Sequence, residues 1–184
     1  HSAVWSGSEM LVWGGEDASN GSTTQTGAAY DPSGDSWRAL SIADAPSARR
    51  YHVALWADDR MLIWSGNASG RYEDNGGSYD PSTDTWDALS TGLAAPRRWG
   101  HVAVWTGSEM VVWGGMDEIE LNDGSAYDPS TDSWRTLSGT SGLGPRRNHA
   151  AVWTGSEVVV WGGKTGDNDH IGDGALWDPV SDSW

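Results

Sequence analysis

The sequence predicts an all-β protein, a radial array of four like units with four short antiparallel strands each. Three observations carry that reading. A short alternating run led by histidine recurs at His1, His52, His101 and His149, and alternation is the strand period. A second apolar run ends in Trp13-Gly14-Gly15, Trp64-Ser65-Gly66, Trp113-Gly114-Gly115 and Trp161-Gly162-Gly163. The spacings are constant save one. From His to the second-strand Trp is 12 residues in every copy, from the third-strand aromatic to the fourth-strand Trp 7, and from that Trp to the next His 15. Only the interval from second-strand Trp to third-strand aromatic changes, at 17, 15, 14 and 16, so the copies differ in length in one loop.

Each element follows from its residues. His1 to Trp5 and its equivalents form the first strand, closed by a tight polar turn such as Ser6-Gly7-Ser8-Glu9 or Ala57-Asp58-Asp59-Arg60. The second strand, for example Met110-Val111-Val112-Trp113, is continuously apolar, as a strand buried on both faces must be. The double glycine ends it, where a missing side chain permits positive φ and close backbone approach. The polar loop of variable length comes next, then a third strand ending in Tyr30, Tyr79, Tyr127 or Trp177 before Asp-Pro, which starts a turn. The fourth strand carries Trp37, Trp86, Trp134 or Trp184, and a linker with Pro and paired Arg leads to the next histidine. The copies span 1–51, 52–100, 101–148 and 149–184, with no second domain between them.

Composition narrows the function. The net charge is −15, from 11 Lys+Arg against 26 Asp+Glu, which argues against nucleic-acid or anionic-membrane partners. There is no cysteine, hence no disulfide framework, thiol nucleophile or cysteine zinc site. No apolar run approaches the length of a membrane span, and no leader sequence is evident. Acidic repeats rich in Gly, Ser, Thr and Asn suit a secreted or cell-surface bacterial protein. Of the 14 Trp, 12 fall at repeated positions, and these are expected to be core.

These landmarks (strand, Gly-Gly, Tyr-Asp, a Trp seven residues on, then Pro and Arg before the next His) resemble the kelch repeat over the whole chain. The Trp before Gly-Gly, with Glu109-Met110-Val111-Val112 ahead of it, is similar to the bacterial exported branch of that family. The resemblance implies a β-propeller with one blade per copy. Departures are Ser65 for Gly, Trp177 for Tyr, and Gly100 between the Arg97-Arg98 pair and His101. Kelch propellers commonly close with six or seven blades, so four copies are expected to form part of a larger propeller or assembly. The resemblance further implies a binding scaffold rather than an enzyme. The copper radical oxidases among kelch-like propellers need a Cys-Tyr cross-link, and an enzyme fragment with its catalytic residues elsewhere is an alternative.

The candidate sites lie on the face that carries the variable loops, 16–29, 67–78, 116–126 and 164–176, because alternating strand direction puts these loops and the arginine linkers on one side. The loops hold 11 of the 26 acidic residues. The arginine pairs fit either structural contacts at the copy junctions or a binding set, and the resemblance assigns Arg50, Arg98 and Arg147 to a central pocket. Trp99, without an evident counterpart, is a candidate stacking residue for a glycan or peptide; Tyr72, Asp117, Glu118 and His170 are further loop candidates. Asp167, Asp169 and Asp173 partly match a calcium loop, but Ile171 occupies a ligand position and no helices flank the run. The repeated histidines are expected to be structural. No cofactor is expected. The partner is expected to be a protein or a glycan, with self-association through open blade edges as the structural alternative.

Overall fold

The computed structural model describes residues 1–92, 96–138, 142–166 and 169–184, and among these every regular element is a strand. The chain divides into two compact units, His1–Ser90 and Thr91–Trp184. The first unit holds two four-stranded sheets. One is β1 (Ser2–Trp5), β2 (Met10–Trp13), β3 (Gly27–Asp31) and β4 (Ser36–Ala39); the other is β5 (Val53–Ala57), β6 (Arg60–Trp64), β9 (Gly76–Asp80) and β10 (Thr85–Ala88). Between β6 and β9 stands a separate hairpin, β7 (Asn67–Ala68) with β8 (Arg71–Tyr72). The second unit has β11 (Val102–Trp105), β12 (Met110–Trp113), β13 (Gly124–Asp128) and β14 (Ser133–Thr136) in one sheet. Its other sheet is β15 (Ala150–Trp153), β16 (Val158–Trp161) and β19 (Gly174–Trp177), and the hairpin β17 (Lys164–Thr165) with β18 (Asp169–His170) lies between β16 and β19. All pairings are antiparallel between consecutive strands of a sheet, as in kelch blades.

Two details differ from the sequence reading. Among the described residues the fourth copy has three strands in its sheet, with the isolated bridge Asp178–Ser183 where the fourth strand is expected. The loops after Trp-Gly-Gly are not plain: Ser69 and Gly70 both take positive φ, +51° and +88°, the turn that joins two strands in a two-residue hairpin.

The third-to-fourth strand turn has one mechanism in every copy. Its last Asp (Asp35, Asp84, Asp132 or Asp182) has positive φ and accepts a hydrogen bond from the third-strand aromatic. Trp177 substitutes for tyrosine without loss, since its indole N–H reaches Asp182 at 3.2 Å. A charge pair ties the first turn to the fourth strand. Arg38 donates twice to Glu9 (3.1 and 2.7 Å) and Arg135 twice to Glu109 (2.8 and 2.7 Å). In the second copy the same two positions carry Arg60 and Asp87, paired at 2.8 Å with the signs exchanged.

Within each unit the sheets join in the same way. Trp13 is fully buried, with the His52 ring edge-on at 5.1 Å and Trp86 at 5.6 Å. In the second unit Trp113 meets His149 at 5.1 Å and Trp184 at 5.5 Å. The second-strand Trp of one copy is therefore received by the His and the fourth-strand Trp of the next. This edge-on aromatic contact is the main structural use of the histidines, and His52 adds a 2.7 Å hydrogen bond with Ser2 Oγ. The expectation that all repeated Trp are core needs correction. Trp5, Trp37 and Trp161 are 53%, 56% and 58% exposed, and Trp161, unlike Trp13 and Trp113, meets no His and fourth-strand Trp among the described residues.

Burial, and then the positive charge of Arg146, hold His149 down to about 4. The unfolded chain should titrate near 6.5. Folding thus excludes a proton that the unfolded state takes up, so His149 supports full stability above pH 6.5 and loses it as pH falls toward 4. From pH 7 to pH 5 that loss should be about 2 kcal/mol. Urea unfolding at the two pH values should show the loss in the native protein and a clearly smaller one in His149→Gln; equal losses would contradict this assignment.

Candidate functional site

The linker arginines separate into two sets once the register is seen. Counting back from each histidine, Arg49, Arg98 and Arg146 share one position, and Arg50, Trp99 and Arg147 the next. Arg49, Arg98 and Arg146 are essentially buried, at 0%, 1% and 0% exposure. Each guanidinium donates to the first carbonyl after the next second-strand Trp: Ser65 at 3.0 Å, Gly114 at 2.9 Å and Gly162 at 3.1 Å. Each also donates to the residue before the third strand, the carbonyls of Asn75, Asp123 and Asp173. Those side chains cap the group too, through Asn75 Oδ1 at 2.6 Å, Asp123 Oδ1 at 3.1 Å and Asp173 Oδ1 at 2.7 Å. Burial brings Arg49 down to about 10, with the negative charge of Glu73 opposing, so it stays a cation at neutral pH.

This corrects the set Arg50, Arg98 and Arg147. Arg98 belongs with the buried fasteners, and its place among the outer positions is taken by Trp99. Trp99 therefore has counterparts. Arg50, Trp99 and Arg147 each bridge to the residue after Gly-Gly, at Asn67, Met116 and Lys164. The residue after them, Tyr51, Gly100 or Asn148, has positive φ in all three linkers (+59°, +64° and +53°). Gly100 is thus in register, and it is the arginine pair Arg97-Arg98 that starts one residue early.

On the loop side of the first unit, Arg50 pairs with Glu16 and lies over the Tyr51 ring at 5.0 Å. Tyr72 is half-buried in β8, opposite Asn67. In the second unit more of the candidates come together. The guanidinium of Arg147 pairs with Glu120 and stands 5.9 Å over the ring of half-buried Trp99. Arg97 binds Asp117 through Nε at 3.0 and 3.1 Å and approaches Glu118 at 3.9 Å. The loop between curls on itself: Met116 bridges Glu120, and the Asp117 N–H donates to the Ile119 carbonyl at 3.0 Å. The curl leaves Ile119 71% exposed at its tip beside Glu118, whose side chain is 87% exposed. Nothing in the spacing of Ile119 separates it from a core residue; only its place between acidic neighbours in a polar loop hinted at exposure.

His170 and Asp169 are exposed in β18, opposite Lys164 and Thr165. Asp173 is committed to Arg146, so it belongs to the junction rather than to a calcium loop. Asp167 lies outside the described residues, and among the described residues no group of three or more His, Asp or Glu is placed to hold a metal.

The geometry defines a repeat scaffold of small antiparallel sheets whose loops on one side are fastened to the linkers by arginine. The family model described as the KLHDC2/KLHL20/DRC7 Kelch-repeats domain matches residues 1–163, and the chain belongs to the kelch-repeat family. No curated protein matches it. Kelch repeats generally mediate protein–protein interaction, usually as non-catalytic modules.

Proposed function

We propose that the chain is a non-catalytic protein-binding scaffold, and that its partner docks on the loop side of the second unit. The observation that carries this reading is an apolar anchor held in a prearranged acidic surround, Ile119 beside Glu118 on a loop fastened by Arg97–Asp117 and Arg147–Glu120. A fastened loop loses little conformational freedom on binding, so the exposed side chain contributes more of its contact energy to affinity. The acidic surround selects a partner with basic residues flanking an apolar one. A protein is favoured over a glycan because the Arg147 guanidinium already stands over Trp99, where a sugar would have to stack. On this reading the scaffold works at the cell surface or outside the cell. Its acidic repeats, rich in Gly, Ser, Thr and Asn, and their likeness to the bacterial exported repeats support that location.

Panning a random-peptide display library against the protein tests the reading. Enriched peptides should carry Lys or Arg around an apolar residue. Their Kd should rise at least tenfold with Ile119→Asp and several-fold with Glu118→Lys, and should be unchanged by Glu157→Lys on the opposite turn. Peptides that bind the Ile119→Asp protein as well as the native one would overturn the proposal.

A further inference from the structure

A groove opens in the second unit on the side opposite the variable loops. The first turn of the third copy (Thr106, Ser108, Glu109) forms one bank, and Trp153, Pro179 and Val180 of the fourth copy stand on the other. It encloses about 770 Å³, within the range of about 300–1,000 Å³ typical of small-ligand sites. The first unit has the same groove in the same register, from Ser6, Ser8 and Glu9 to Trp56, Pro81 and Ser82, at about 440 Å³. The junction between successive copies therefore builds the groove, and only its rim differs between the two units. Where the second groove has Gly155, Ser156 and Val180, the first has Asp58, Asp59 and Ser82.

Val180 marks the second groove as the one in use. The other copies have serine at its position, and Ser33, Ser82 and Ser130 each donate a hydroxyl bond to the preceding Asp at 2.7, 2.6 and 2.7 Å. Val180 forgoes that bond, which Ser181 makes to Asp178 instead, and it is 94% exposed. Ser130, which a further sheet of the same unit follows, is exposed as well, so the position is open inside the array. A valine that neither caps its turn nor enters the core has no role in folding. Beside it Pro179 and half-buried Trp153, whose inner side packs on the core of the unit, complete the apolar part of the lining.

The polar part consists of hydroxyls and carboxylates without a basic residue: Thr106, Ser108, Ser156, Glu109, Glu157 and Asp178. Glu109 is engaged by Arg135, and Asp178 by the Val180 N–H and the Ser181 hydroxyl, which moderates the field that a cation would feel. An anion would meet carboxylates with no compensating charge. An uncharged ligand with an apolar face and many hydroxyl donors satisfies both halves of the lining, and a sugar ring has that make-up. We infer that this groove binds a neutral glycan, with a sugar C–H face on Val180, Pro179 and Trp153 and its hydroxyls donating to the carboxylates. The site is separate from the loop side, where Arg147 occupies the ring of Trp99.

Titration of the isotope-labelled protein with neutral trisaccharides of glucose, galactose, mannose and N-acetylglucosamine, followed by NMR, is the test. At least one of them should move the Trp153 indole signal, which is identified by its loss in Trp153→Phe. Val180→Ser, which restores the residue of the other copies, should weaken that sugar several-fold, and Val180→Asp at least tenfold, with the circular dichroism of both variants unchanged. Ile119→Asp on the loop side should leave sugar binding as it is, so this result is independent of the peptide partner. Sialyllactose, the anionic arm, should bind at least tenfold more weakly than the best neutral sugar. A Trp153 signal that no neutral trisaccharide moves overturns the inference, as does sugar binding that Val180→Asp leaves intact. A response to hexylamine in the absence of any to the sugars would make the groove a cation site and overturn it equally.

Discussion

Arg98→Met is expected to lower the stability of the second unit by about 3–5 kcal/mol, against less than about 1 kcal/mol for Arg97→Met one residue earlier. The two side chains differ in surroundings rather than in charge. Arg97 is half exposed and pairs with Asp117 in water. Arg98 is enclosed, and its guanidinium satisfies the carbonyls of Gly114, Asp123 and Pro96 together with the Asp123 carboxylate. Methionine fills much of the volume but removes the donor to the Gly114 and Pro96 carbonyls and the cation beside Asp123, and an unsatisfied buried acceptor is the costly half of a lost hydrogen bond. Arg98→Lys should recover little, since a single ammonium cannot span acceptors set out for a planar fork. Urea unfolding followed by tryptophan fluorescence measures the difference; equal losses at Arg97 and Arg98 would contradict the two-set description of the linkers.

The second large effect is expected at Gly114. Its φ is +63°, and a Cβ there would lie 2.6 Å from His149 Cε1 and 3.0 Å from the Arg146 carbonyl. The backbone conformation alone costs an L-residue about 1–2 kcal/mol, and forcing a methyl group into a packed junction adds about 1–3 kcal/mol. Gly114→Ala should therefore cost about 3 kcal/mol, the sum of the two. Gly107→Ala separates the contributions, because Gly107 also has positive φ, +95°, but nothing lies within 4 Å of an added Cβ. It should show the backbone cost only. Adding His149→Ala to Gly114→Ala should give a coupling of about 1 kcal/mol or more in a double-mutant cycle, since it removes the ring that the methyl group meets.

The strands were legible in the sequence because their signal is periodic and repeated. Invariant spacings from His to Trp and from Tyr to Trp placed the strands of the first three sheets, and apolar runs such as Met110 to Trp113 marked the buried second strands. The linkers were less legible because adjacency misleads there. Arg97-Arg98 looks equivalent to Arg49-Arg50 and Arg146-Arg147 until position is counted back from the histidine, and only then does Trp99 align with Arg50 and Arg147. The role of Asn75, Asp123 and Asp173 was hidden for a different reason. A residue before a strand reads as loop, and its use depends on a guanidinium arriving from 26 or so residues away. Exposure was the least legible property. Trp161 and Trp113 follow nearly the same residues, yet one is buried and the other open, because burial depends on what stands against the sheet and not on the strand itself.

The exchanged charge pair in the second copy bears on how near-identical repeats avoid confusing one another. Antiparallel strands of similar sequence can trade partners while the chain is still collapsing, and such repeats are prone to that kind of misassembly. If β10 closed against the first sheet in place of β4, Asp87 would meet Glu9; if β4 closed against the second, Arg38 would meet Arg60. Either exchange replaces an attraction with a repulsion, while the correct pairing keeps both attractions. Arg60 and Asp87 thus act as a label: they cost the finished sheet nothing, and they tell the second copy's outer strand which hairpin is its own.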